Sequence, residues 1–443
     1  MTAWLPDLLY TGGKFESGLA MVVDESGRIA RFSRAEEDVN RANRLSGRAM
    51  LPGLVNVHSH TFQRVIRGRT EHRTSASRDT FWTWRQSMYH AANAMSPEDI
   101  YLAARMAFLE MLLSGITAVG EFHYVHQDLE IARGILRAAE ELGLGVTLLR
   151  TAYVRAGWKK DPDPGQARFL TPDVDRFFAD TDEMIAGGAR IGVAPHSVRA
   201  VPLDYLREVA EYARGRGLPL HMHVSEQPAE VETCIGEYGL RPVELLHREG
   251  ILDERFTAVH AIHITEEEAR FLGRSSVCAC PTSERNLGDG AVPADDLFTE
   301  GARVCFGSDS NVQIDILEDA RELEYHLRMN RLERAVLAPD NSREGLARRL
   351  FESATESGAR SLLAPGGSLE AGRAADFFTI DLNDCSVAGA DLESLLGHVV
   401  FSLERTAVRD VCVGGKLVVG DGRHRLQEEI VREFSEVQRN LWR

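Results

Sequence analysis

A chain of 443 residues, 44% hydrophobic and 27% charged, carries enough apolar material for a sizeable core, which excludes a disordered or fibrous protein. Its 51 Lys and Arg stand against 67 Asp and Glu, and the resulting net charge of −16 argues against a surface that tracks nucleic acid. An anionic small molecule would have to be held by a few placed cations.

Six cysteines (Cys234, Cys278, Cys280, Cys305, Cys385 and Cys412) show no framework spacing and read as reduced thiols. The chain does not open on a cationic patch followed by an apolar run, and no window approaches the roughly 18 apolar residues of a membrane span. The expectation is a cytoplasmic protein, with neither membrane nor nucleic acid among its partners.

Taken in chain order, residues 1–50 make the first part of a small β domain, with short extended runs such as Leu19 to Val23. Residues 51–365 alternate strand-length apolar runs with helical stretches. The runs are Leu54 to Val57, Ile116 to Gly120, Val146 to Leu149, Arg190 to Ala194, Leu218 to Val224, Phe256 to His260, Val277 to Ala279 and Arg303 to Phe306. Eight strands, each followed by a helix or a long connection, predict a (β/α)8 TIM-like barrel of the α/β class. The helices are punctuated: Ser96, Pro97 and Asp99 form an N-terminal signature, and glycines close the stretches Leu129 to Leu142 and Leu203 to Arg214. The connection from Thr61 to Ser96 is too long for an ordinary strand-to-helix loop. It holds Phe81, Trp82, Trp84 and Tyr89 around Arg85, which reads as a lid over the barrel mouth or an oligomer contact. Residues 366–425 return to short extended runs and supply the second part of the small domain, a β-sandwich built from both ends of the chain; residues 426–443 read as a charged helix.

The most specific stretch is Pro52-Gly53-Leu54-Val55-Asn56-Val57-His58-Ser59-His60. Side chains two apart on a strand share a face, so His58 and His60 point together into the barrel mouth, where two imidazoles can chelate one ion. Partners stand at later strand ends: His221 and His223 on the inward face of strand five, His260 at the end of strand six, Asp309 after strand eight. Glu226, an odd step past His223, belongs beyond the strand end and leaning over the mouth. Any one of these is as easily structural; four strand ends with imidazole or carboxylate on one rim are not a chance set.

Together the Pro-Gly-Leu-Val-Asn-Val-His-Ser-His stretch, the later His-Val-Ser-Glu, the His of Val-His-Ala and the Ser-Asp resemble the amidohydrolase superfamily, over essentially the whole chain. The resemblance implies that His58, His60, His223 and Asp309 bind a metal, that Glu226 shuttles protons and that His260 touches the attacking water. Strand four ends in Ala194-Pro195-His196-Ser197, with no lysine of the kind that bridges two ions in other members, so one ion is expected: zinc, with ferrous iron as the alternative. Asp309 would accept a proton from water and Glu226 would donate one to a departing nitrogen, which fits deamination as well as amide hydrolysis.

Substrate class has to come from the other polar groups. Arg199, after strand four, suits a carboxylate, since a guanidinium can bind one bidentately. The segments around Gln63 and Arg64, Trp84-Arg85, His123-Tyr124, His196 to Arg199 and Cys280 to Gly290 resemble, within the superfamily, the formimidoylglutamate deiminases. That implies conversion of N-formimino-L-glutamate and water to N-formyl-L-glutamate and ammonia in histidine degradation. Arg199 and Arg85 would take the carboxylates, with Gln63, Tyr124 and His196 completing the pocket, and a homodimer is expected on the same ground. Asn311 departs from the pattern, which has histidine there, and leaves room for a shifted substrate. The alternative is a deaminase of a guanine, cytosine or adenosine type of heterocycle; a non-catalytic scaffold is disfavoured because no ligand is missing. Cys278 and Cys280 read as small core residues.

Overall fold

The computed structural model describes residues 1–126 and 128–443. Eight parallel strands run in chain order around one sheet: β1 (Leu54–Ser59), β2 (Ile116–His123), β3 (Gly145–Ala152), β4 (Ile191–Pro195), β5 (Leu220–Val224), β6 (Phe256–His260), β7 (Ser276–Ala279) and β8 (Arg303–Phe306). Nearly every residue in these strands is buried, as expected of a parallel sheet covered on both faces.

Closure between β8 and β1 takes place at the carboxyl end. The Asp309 N–H donates to the His58 carbonyl and the His60 N–H to the Asp309 carbonyl, each at 2.9 Å. This approach requires Gly307, because a Cβ there would lie 2.7 Å from the His58 Cβ and 2.8 Å from its carbonyl oxygen. Three proposed site residues, His58, His60 and Asp309, are therefore fixed by the same hydrogen bonds that shut the barrel.

The helices follow their sequence punctuation. Pro97–Leu113 begins on a reciprocal Ser96–Asp99 capping box, and Leu129–Leu142 ends on a left-handed Gly143. Leu203–Arg216 runs through Gly215 and ends on left-handed Gly217. The expected aromatic loop is instead mostly helical: Thr61–Ile66 forms a 3₁₀ turn, and Phe81–Ala94 is a helix started by a Thr80–Thr83 capping box.

Both chain ends build one mixed sheet of nine strands beside the barrel. Its central strands, Thr2–Thr11 and Asn43–Pro52, pair in parallel, and Phe377–Asp381 joins them antiparallel. Thr2–Thr11, which carries Pro6, lies ahead of the Leu19 to Val23 run that the sequence marks as extended. Proline is normally barred from a central strand, and here the register shifts between Pro6 and Leu8 to accommodate it. Hydrogen bonds from Ile29 N–H to Arg373 and from Ala375 N–H to Gly27 draw the sheet together. It encloses a second apolar cluster with Trp4, Leu9, Met21, Met50, Phe377 and Cys412. The closing helix, Gln427–Leu441, sets Glu429 and Glu433 against Arg105. No helix among the described residues is long and apolar enough to cross a membrane.

Candidate functional site

His58 and His60 leave β1 on the same face, and their Nε2 atoms stand 3.1 Å apart. The Nε2 of His223 lies 3.2 Å from that of His58, and Asp309 Oδ1 lies 3.2 and 3.3 Å from the Nε2 atoms of His58 and His60. Ligands about 2.0–2.2 Å from a tetrahedral zinc ion are separated by a little over 3 Å, so this donor set fits one such ion. Second partners orient two of the rings. His60 Nδ1 donates to the Phe122 carbonyl at 2.8 Å and His223 Nδ1 to the His196 carbonyl at 3.0 Å, leaving both Nε2 lone pairs free for a cation. Burial pushes His58 down to about 3 and His223 well below the usual imidazole range, which keeps both rings neutral. For Asp309 burial acts upward, but the close approach of the His58 and His60 rings outweighs it and holds the carboxyl well below its ordinary value.

Four residues at three of these strand ends carry left-handed, non-glycine backbone: Ser225 (φ 53°), His260 (φ 72°), Asp309 (φ 44°) and Asn311 (φ 57°). Such conformations persist only where surrounding contacts over-determine them, and after β5, at the end of β6 and at Asp309 they bring side chains to the mouth. Glu226 is the clearest product: after the turn at Ser225 it reaches the cleft, 3.8 Å from His260 Nε2. Burial raises the Glu226 carboxyl, opposed by His260. On His260 burial acts downward, yet Glu226 and then Glu284 lift it well above its ordinary value; Glu284 Oε1 lies 3.2 Å from its Nδ1.

A cleft opens above these groups. All five residues singled out for substrate, Gln63, Arg85, Tyr124, His196 and Arg199, line it. The Phe81–Ala94 helix contributes Trp82, Trp84, Arg85 and Tyr89 from above. Arg85 donates through Nε to the Tyr89 hydroxyl and through Nη2 to the Tyr153 hydroxyl, while Arg199 donates to the Ala156 carbonyl at 2.7 Å. Among the described residues neither guanidinium forms an ion pair with a carboxylate. Gln63 donates through Nε2 to the Tyr124 hydroxyl at 2.8 Å, and its buried Oε1 has no partner.

Sequence reasoning missed several residues of this cavity. Tyr153, 1% exposed, accepts hydrogen bonds from Arg85 and from Gln166 Nε2, the latter at 2.6 Å. Glu230 lines the wall beside Glu226, and Glu284 backs His260. Glu230 carries a recognisable signal, an acidic residue in the first turn of the helix that follows the strand bearing His223; Tyr153 and Gln166 carry none.

Asn311 does not enter the cleft. Its amide donates to Ser59 Oγ and the His60 carbonyl, and its Oδ1 accepts from Ser308 Oγ, so it latches β8 to β1 behind the group of His58, His60, His223 and Asp309. Asparagine tolerates the left-handed φ better than most residues. His221 sits lower in the barrel against the Ser361 carbonyl and takes no part. Cys278, Cys280 and Cys305 are buried free thiols; burial raises Cys280 to about 12 and keeps it protonated. All six cysteines are free.

A family model described as "Amidohydrolase family" matches residues 49–418. The formimidoylglutamate deiminase of Pseudomonas aeruginosa is 39% identical over 433 residues, covering 94% of each chain. A 5-methylthioadenosine/S-adenosylhomocysteine deaminase of Natronomonas pharaonis is 28% identical over 85% of this chain and 82% of its own. Among solved structures, an amidohydrolase from Brucella melitensis superposes with a TM-score of 0.91 at 33% identity, over 100% of both chains.

Proposed function

The chain belongs to the amidohydrolase family, a hydrolase acting on C–N bonds, and from that premise we propose that it deiminates N-formimino-L-glutamate to N-formyl-L-glutamate and ammonia. The observation that carries the substrate class is the pair Arg85 and Arg199, two guanidinium groups in one cleft without a carboxylate partner among the described residues. A small dicarboxylate supplies the missing anions, whereas a neutral heterocycle would leave them uncompensated. The similarity to the Pseudomonas aeruginosa deiminase points the same way.

His58, His60, His223 and Asp309 would hold one divalent ion, zinc or alternatively ferrous iron. A single ion is favoured because strand four ends in Pro195-His196 rather than a lysine. Bound there, the ion supplies Lewis acidity that eases deprotonation of water near neutral pH.

The remaining steps belong to the side chains. Arg85 and Arg199 bind the two carboxylates, and Gln63, Tyr124 and His196 align the formimino group over the rim. Asp309 accepts the proton of the attacking water as it adds to the formimino carbon. Glu226, whose carboxyl burial raises, delivers a proton to the imino nitrogen as the water adds; the proton held by Asp309 then passes to the same nitrogen, the C–N bond breaks to release ammonia, and the hydroxyl of the adduct returns its proton to Glu226 as the formyl C=O forms. His260, held between Glu226 and Glu284, orients the water and offsets developing charge. Ammonia release from N-formimino-L-glutamate, abolished by a chelator and absent with guanine, cytosine and adenosine, is the test; release from a nucleobase in place of the formimino compound overturns the reading.

A further inference from the structure

Glu230 accepts hydrogen bonds from two consecutive main-chain N–H groups, Ser225 to Oε1 and Glu226 to Oε2, each at 3.2 Å. Its position makes this unusual. In the helix Pro228–Tyr238, Gln227 is the N-cap and Glu230 the third helical residue, the place from which a glutamate ordinarily reaches back to the N-cap N–H. Here the carboxylate reaches one and two residues further, to the turn itself, while the Gln227 side chain bonds Asp289 and makes no cap. The Ser225 carbonyl is tied from the other side by the His263 N–H at 2.9 Å. Ser225 is fully buried, so its N–H would have no water to turn to if Glu230 were removed.

From this we infer that Glu230 is a positioning residue for Glu226. It clamps the left-handed turn at Ser225 that carries Glu226 off the end of β5 and into the cleft. The inference rests on the proton-shuttle role proposed for Glu226. Glu230 acts through that residue and makes no claim on the substrate. A donor held to a fraction of an ångström is what proton delivery in the transition state demands, and a displacement of about 1 Å typically lowers the rate roughly 100-fold.

Glu230→Gln keeps the shape but can no longer offer two acceptor oxygens; Glu230→Ala removes both. Assays at pH 8 keep the Glu230 carboxyl, lifted to about 7 by burial and then by the charge of Glu226, in its ionised form. With N-formimino-L-glutamate, kcat of Glu230→Gln is expected to fall roughly 30- to 100-fold with KM within about threefold and metal content unchanged. In a Glu226→Gln background the same substitution is expected to bring no further loss, because the group it positions has already gone. A readout independent of turnover is amide hydrogen exchange over residues 224–227 in the metal-free protein, expected to be at least about tenfold faster in Glu230→Ala. Unchanged kcat, a loss that multiplies with that of Glu226→Gln, or unchanged exchange overturns the inference. A fully active Glu226→Gln would overturn the mechanism beneath it instead, so the two failures are distinguishable.

Discussion

Replacing Arg85 with methionine separates a binding cation from a structural one. The side chain is 8% exposed, lies over the rings of Trp82 and Tyr89, and hydrogen-bonds only the hydroxyls of Tyr89 and Tyr153. A buried cation without a counter-ion is costly to keep, and methionine fills much of the same volume. Tyr153 retains its bond from Gln166. The ligand-free variant is therefore expected to melt no lower than the parent. Substrate binding should suffer instead: two charge-assisted hydrogen bonds to a carboxylate contribute about 1.5–3 kcal/mol each. Taking the low end, a loss of about 3 kcal/mol raises KM roughly 150-fold. Steady-state ammonia release gives KM and kcat, and kcat should stay within about threefold because the clamp holds substrate and transition state alike. Thermal melting supplies the control. At about 2.1 cal/mol/K per residue, a chain of 443 residues shifts its Tm by about 1 °C per 0.9 kcal/mol, so a structural arginine worth 3 kcal/mol would show as a fall of about 3 °C. Unchanged KM, or a Tm drop of that size in the absence of ligand, refutes the assignment.

Glu226→Gln is expected to retain its full complement of metal by elemental analysis and to lose turnover by roughly 100- to 10,000-fold, the range for a removed general acid. Gly307→Ala forces a Cβ to within 2.7–2.9 Å of His58 atoms, so it should push β8 away from β1, lower metal content and reduce stability by about 1–3 kcal/mol; metal content equal to the parent's would show that barrel closure does not govern the ligand geometry. Asn311→Ala strips hydrogen bonds from Ser59 and the His60 carbonyl, and a loss of about 1–3 kcal/mol in denaturant unfolding is expected with KM unaltered; a large KM change would put Asn311 back in substrate selection.

What the sequence revealed, and what it hid, follows from the range over which each residue acts. The barrel was legible because its signals are local: apolar runs of strand length, Ser96 with Asp99 at a helix start, Gly143 at a helix end, each fixing a few neighbouring residues. Thr2–Thr11 escaped because Pro6 vetoes a strand locally, and only the long-range pairing with Asn43–Pro52 repairs the veto by a shift of register. The Phe81–Ala94 helix escaped for a similar reason, its threonine capping box being weaker punctuation than its aromatic content.

The same distinction divides the site. His58 and His60 are two apart at the end of one strand, so parity aims them together, and the other proposed ligands stand at strand ends that the fold class brings to one rim. Tyr153 meets Arg85, and Gln166 meets Tyr153 and Tyr89, only because the loops after β3 and β1 come together above the cleft, a meeting that no spacing encodes. Asn311 makes the limit concrete. Its position two residues after Asp309 suggests a pocket residue, yet the left-handed turn at 309–311 sends the amide backward into Ser59 and Ser308. Along a strand, sequence distance predicts which way a side chain faces. Past the strand end, where the backbone enters the left-handed region, it does not, and the reactive groups of this fold sit just past that point.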